Sequence, residues 1–178
     1  MKDGGFFATS SQKETRIEMS GRPDGRDVIF VYGQTTEKTS DLSETKIKRT
    51  LEFHLTTSVN APFDEFEIIL RKAIAPGFEV KGVLAYPEQK FGDPELDQLL
   101  ILRSPNQGMG ASLREIVRPL AKQSFLHLVG QHGQISYLSS FNTSSFAVAY
   151  IEEVAAAERK LAQHFEAASG AYAPASAY

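Results

Sequence analysis

The residues best suited to chemistry fall between Asp93 and Ser112. Asp93, Glu95 and Asp97 alternate along the chain, and grouped carboxylates can hold a divalent cation or exchange protons with a substrate. Arg103 follows, a cation that Asp97 could meet. The loop Ser104 to Ser112 carries Gly108 and Gly110 between an apolar run and a helical pattern. A helix that starts there would offer free amides to an anion. Asp93, Asp97, Arg103, Gly108, Gly110 and Ser112 therefore form the candidate ligand-binding set. Each has a local reading as well. Asp93 can bond turn amides, Asp97 can end a strand, and the glycines can make a flexible connector. The loop lacks the lysine of a Walker loop and the full dinucleotide fingerprint. Later ligands of a calcium loop are missing too. No catalytic residue and no metal-ligand set is predicted.

Elsewhere the signals are thinner. His54, His127, His132 and His164 have no metal-ligand spacing, and only His127, between Leu126 and Leu128, is expected to be buried. Ser139 to Ser145 is rich in hydroxyls, but no Gly-x-Ser-x-Gly elbow occurs, and helix capping accounts for the run. The absence of cysteine removes thiolate catalysis and cysteine-ligated metals. A net charge of −3 argues against a phosphate-tracking surface, so no nucleic-acid partner is expected. No stretch approaches the ~20 apolar residues of a membrane span. The start has no signal-peptide core. A cytoplasmic protein without cofactor is the expectation, with an exported or membrane-associated parent left open.

The elements that must position these residues read as α+β. Residues 1–15 are polar and Gly/Ser-rich, a loose lead-in. Arg16–Met19 and Arg26–Tyr32 make a hairpin around Gly21–Gly25. A polar loop over 34–44 leads into the alternation of Ile47, Leu51, Phe53 and Leu55. Phe66, Ile68 and Leu70 alternate in turn, and the two strands are expected to pair with each other. Ala75-Pro76-Gly77 suits a type II turn. Leu99–Leu102 reads as a central strand covered on both faces. Ser112–Leu120 reads as a helix with a Ser112/Glu115 capping box and an apolar face of Leu113, Ile116, Val117 and Leu120. Pro119 should end or kink it. A second hairpin joins 125–129 to 134–138. A long helix follows over 145–168, capped from 142–144, striped by Ile151, Val154, Leu161 and Phe165, and stopped at Gly170. Residues 169–178 read as a flexible tail. The expected architecture is one domain over 16–168, an antiparallel sheet with one short and one long C-terminal helix on one face.

At GDPELDQLLILRS the chain resembles the soluble domain of uncharacterised, often membrane-tethered bacterial proteins. In these, Gly-Asp-Pro-x-Phe-Asp-x-x-Phe-x-Val precedes a short helix, a hairpin and a final helix. Gly92, Asp93, Pro94 and Asp97 match that pattern, and aliphatic residues stand in its aromatic positions. The resemblance implies a fold and no reaction.

Three functions stay open on this reading. The first is a non-catalytic module that binds a protein partner or itself through a strand edge or the outer face of the long helix. The second is a carrier holding an apolar or anionic ligand between sheet and helix, near Phe53, Phe66, Leu70, Ile151 and Leu161. The third is a hydrolase using Asp93, Asp97 or His127.

Overall fold

The computed structural model describes residues 9–40, 45–71, 83–121, 127–141 and 148–170. Among the described residues, eight strands make one sheet: β1 (Thr9–Gly21), β2 (Val28–Ser40), β3 (Thr45–Ser58), β4 (Phe66–Leu70), β5 (Glu88–Gln89), β6 (Leu100–Arg103), β7 (His127–Gln131) and β8 (Gln134–Phe141). Their order is β1-β2-β3-β8-β7-β4-β6-β5, and every neighbouring pair is antiparallel. The helices are α1 (Pro94–Leu99), α2 (Met109–Ala121) and α3 (Val148–Ala168). The fold is α+β, as the alternation of short strand patterns and only a few helical stretches predicts.

Register explains the core. Directly opposed residues share a sheet face. The pairings therefore align Met19, Phe30, Leu55, Tyr137, Leu128, Ile68 and Leu102 into one apolar row across seven strands. α3 crosses this face at β3 and β8, and α2 packs against α3. Leu113 and Val117 of α2 and Val154, Leu161 and Phe165 of α3 join Phe53, Leu55, Phe66 and Ile68 in one buried cluster. In the next row Phe66 opposes Gly130. A Cβ at Gly130 would lie 2.1 Å from the Phe66 ring, so the glycine makes room for the aromatic.

The outer ends of β1, β2 and β3 run on past the end of β8. β8 pairs only with Leu51 to Ser58 of β3. Residues 45–50 continue opposite Thr35 to Ser40, which continue opposite Thr9 to Glu14. The result is a three-stranded arm beyond the edge of the packed core.

Several sequence readings change here. The β1–β2 and β7–β8 hairpins form where expected, with Asp24, Gly25, His132 and Gly133 at positive φ in the turns. Residues 9–15, read as lead-in, are strand, and so are 34–40, read as loop. They are polar on both faces, so no alternation marks them. β3 and β4 do not pair with each other: β3 lies between β2 and β8, and β4 between β7 and β6. The strand expected at the centre, β6, is covered as foreseen but sits next to the short edge strand β5. Leu99 ends α1 instead of starting a strand. α2 begins three residues early, which puts Ser112 inside it, and Pro119 sits within its last turn. Gly170 has the left-handed φ of 72° that stops α3. The expected turn at 75–77, the cap at 142–144, residues 1–8 and residues 171–178 lie outside the described residues.

Candidate functional site

The six residues of the ligand-binding set divide among three places. Asp93 caps α1: one carboxylate oxygen accepts from the amides of Glu95 (3.0 Å) and Leu96 (3.2 Å). Its other oxygen accepts from the Arg118 guanidinium of α2. That hydrogen bond, followed by the Leu96 amide, holds the Asp93 carboxyl below the usual carboxylate range. Asp97 accepts from the Phe91 amide at 2.7 Å and so closes the loop before α1. The acidic cluster is a latch between the 91–97 turn and α2.

Arg103 does not meet Asp97. From β6 it reaches Glu67 of β4 (Nη1 to Oε2, 3.3 Å) on the sheet face away from α3. His127 Nε2 lies 2.9 Å from the other Glu67 oxygen. The amides of Val83 (2.7 Å) and Leu84 (3.2 Å) also donate to this carboxylate. Burial pushes the Glu67 carboxyl up, but the bonds from His127 and the two amides outweigh it and leave it lowered. A carboxylate beside an imidazole can orient it as a general base and stabilise its protonated form. Ile69 and Val129, buried on the same sheet face, bring no nucleophile to it. The sequence does show this pair, as a glutamate and a histidine each interrupting an apolar run, although not that they meet.

Gly108, Gly110 and Ser112 belong to the start of α2. Asn106 takes up the amides there: its side-chain oxygen accepts from Gly108 N (2.9 Å) and its carbonyl from Met109 N (3.1 Å). The loop thus satisfies two donors that an anion would have used. Ser112 is no cap, since its hydroxyl donates to the Met109 carbonyl (2.9 Å). Gly110 packs against the backbone of Lys90 and Phe91. Gly108 and Ser112 do line an open cleft of about 460 Å³ between the α2 start, the 62–64 turn and the α3 end. Phe63 and Phe165, stacked at 4.7 Å, form part of its wall. Asp64, Asn106 and His164 supply polar groups, with Asn106 Nδ2 donating to Asp64 at 2.7 Å.

The ligand site expected between sheet and helix draws on Phe53, Phe66, Leu70, Ile151 and Leu161. Phe53, Phe66, Leu70 and Leu161 are core residues and line neither this cleft nor a smaller hollow beside Arg26, Leu55 and Thr57. Asp93, Asp97 and His127 each bond to a different partner: Arg118, the Phe91 amide and Glu67. Among the described residues, no three His, Asp or Glu side chains could hold a metal ion together.

Two carboxylates on the buried side of α3 escaped the sequence reading. Glu158 and Glu166 follow Val154 and Ala162 at four-residue spacing, which places them on the core face. Arg26 engages both oxygens of Glu166 (Nε to Oε1, 3.1 Å). Glu158 accepts from the Thr57 hydroxyl at 2.6 Å, while its second oxygen has no hydrogen-bond partner among the described residues. Burial raises the Glu158 carboxyl well above its ordinary value, against the pull of Thr57 and the Tyr137 amide. A carboxyl raised in the folded state stabilises it below the unfolded pKa, and this contribution is lost as pH rises toward the folded value. Glu158→Gln is therefore expected to gain on the wild type by about 1 kcal/mol above the ordinary carboxyl range, increasingly so as pH rises. Urea unfolding at several pH values checks this, and parallel curves for the two proteins would contradict it.

The arm presents a different kind of surface. Among the described residues, β1 has β2 as its one neighbour, and residues 11–21 are all exposed. Ile17 (49%) and Met19 (56%) are the exposed outer members of the apolar rows that run into the core. Lys13, Glu14, Arg16 and Glu18 charge the same strand, with Arg16 and Glu18 paired at 3.7 Å. Among the described residues, no helix is long and apolar enough to cross a membrane. No protein-family model, curated protein or solved structure matches this chain.

Proposed function

We propose that this protein is a non-catalytic self-association module whose contact surface is the outer edge of β1. One observation carries the reading: among the described residues a 13-residue strand ends the sheet, and residues 11–21 of it hold their side chains in solvent. An edge of that length presents a row of backbone donors and acceptors that a further strand can satisfy. Proteins blunt such edges by shortening, bulging or charging them. β1 is neither short nor bulged, since its pairing with β2 runs without interruption from Thr9 to Gly21. Its charges alternate in sign, so they select among partners instead of repelling all of them. Strand addition alone covers a small area, and an affinity on the order of micromolar fits it.

A second reading, a small-ligand carrier, draws on the cleft beside Phe63 and Phe165. Its volume falls within the ~300–1,000 Å³ of small-molecule sites. Native mass spectrometry of the full chain separates the two. Self-association predicts a dimer mass whose share grows with protein concentration, together with slowed amide exchange in β1. A monomer at every concentration, carrying a bound small molecule, would replace the first reading with the second.

A further inference from the structure

We infer that the strand added to β1 is β1 of a second copy, antiparallel about a two-fold axis through Thr15. The inference rests on the strand-edge reading above and specifies its partner and register. In an antiparallel pair, successive opposed residues alternate between hydrogen-bonded and non-hydrogen-bonded kinds. A two-fold axis cannot exchange the two kinds, so in a symmetric pair of identical strands it must pass through a residue. Only a short series of registers is then available.

Charge selects among them. With the axis at Glu14, two glutamates oppose each other. With the axis at Arg16, two arginines do, and Glu14 opposes Glu18 of the second copy twice. An axis at Lys13 sets two lysines face to face. With the axis at Thr15, Arg16 of each copy opposes Glu14 of the other, and Thr15 opposes itself, a favourable cross-strand pair. Gln12 then meets Glu18. On the other face Lys13 lies across from Ile17, where its aliphatic stem can cover exposed apolar surface. An axis at Ile17 also pairs Arg16 with Glu18, but leaves residues 9–12 without a partner strand. Thr15 is the midpoint of Thr9–Gly21, so its register alone pairs all 13 residues. The same axis extends the sheet of one copy into the sheet of the other, because odd-numbered residues of both strands share a face.

The native chain has no cysteine, which makes a single introduced thiol diagnostic. Residues on the axis have Cα atoms about 4.5–5.5 Å apart, within disulfide range. Thr15→Cys is expected to give a covalent dimer on mild oxidation. Ile17→Cys alone is not, since its copies lie about 13 Å apart along the strands. Lys13→Cys mixed with Ile17→Cys should cross-link as a heterodimer. Arg16→Glu is expected to weaken the dimer about tenfold or more, and Glu14→Arg with Arg16→Glu to restore it. Arg16 and Glu14 are exposed, and circular dichroism establishes that each variant is folded. Self-cross-linking of Ile17→Cys would move the axis and overturn the Thr15 register. A dimer that is indifferent to both the thiols and the charge swap would overturn it also, while leaving self-association standing at another surface. A strict monomer in sedimentation would end both proposals.

Discussion

Replacing Arg26 with methionine is expected to cost about 3–5 kcal/mol of stability at neutral pH, the range for breaking one side of a buried ion pair. Arg26 and Glu166 are both buried, at 4% and 3% exposure. The pair joins the turn of the β1–β2 hairpin to the last turn of α3, and Asn60 N also donates to the carboxylate at 3.0 Å. Burial alone pushes the Glu166 carboxyl up; Arg26 and the Asn60 amide outweigh it and hold the group below its ordinary value. The native pair therefore stabilises the fold above the unfolded carboxyl pKa, and the contribution fades as pH falls through the folded one. Without the guanidinium, burial dominates and the sign reverses. The variant should lose stability as pH rises through and above the ordinary carboxyl range. Arg26→Met with Glu166→Leu should recover most of the loss, because no unpaired charge remains. Urea midpoints for the three proteins across pH settle the matter. A loss under about 1 kcal/mol for the single variant would mean that the pair behaves like a surface contact.

The second large effect concerns a residue that the sequence places in a possible anion loop. Gly110→Ala adds a Cβ that would sit 2.1 Å from the Lys90 carbonyl oxygen and 2.9 Å from the Phe91 Cα. Helix propensity favours alanine by about 1 kcal/mol. The clash is with main chain, which no rotamer change relieves, and overpacking of this kind costs about 1–3 kcal/mol or more. Crowding should win, with a net loss of about 2 kcal/mol as α2 is pushed off the fully buried Phe91. Gly108→Ala is the control: its Cβ would meet only Asn106 Oδ1, at 3.4 Å, and a change within about 0.5 kcal/mol is expected. Thermal unfolding of both variants checks this. Equal effects at the two positions would remove the packing explanation for Gly110.

The difference between these two glycines shows where local pattern stops. Gly-x-Gly before a helix is one motif in the sequence, yet one glycine lines a cleft and the other is wedged against a neighbouring turn. The contact at Gly110 depends on where residues 90–91 pass, which neighbouring sequence does not encode. Asp93 is the opposite case. Its bonds to Glu95 N and Leu96 N are local and were readable as turn bonding, whereas the Arg118 contact required α2 to be in place.

What the sequence determined by itself was short-range. The turns of both hairpins, the buried face of α2, the stop of α3 at Gly170 and the inward phase of Phe53, Leu55, Phe66 and Ile68 follow from backbone preference and periodicity. The tertiary structure alone decided which strands are neighbours, because a period of two assigns faces and says nothing about partners. It separated β3 from β4, brought Glu67 to His127 and Arg103, and joined Arg26 to Glu166 across the chain. It also extended β1 through Thr9–Glu14, where backbone pairing with β2 holds a strand that side-chain pattern does not announce.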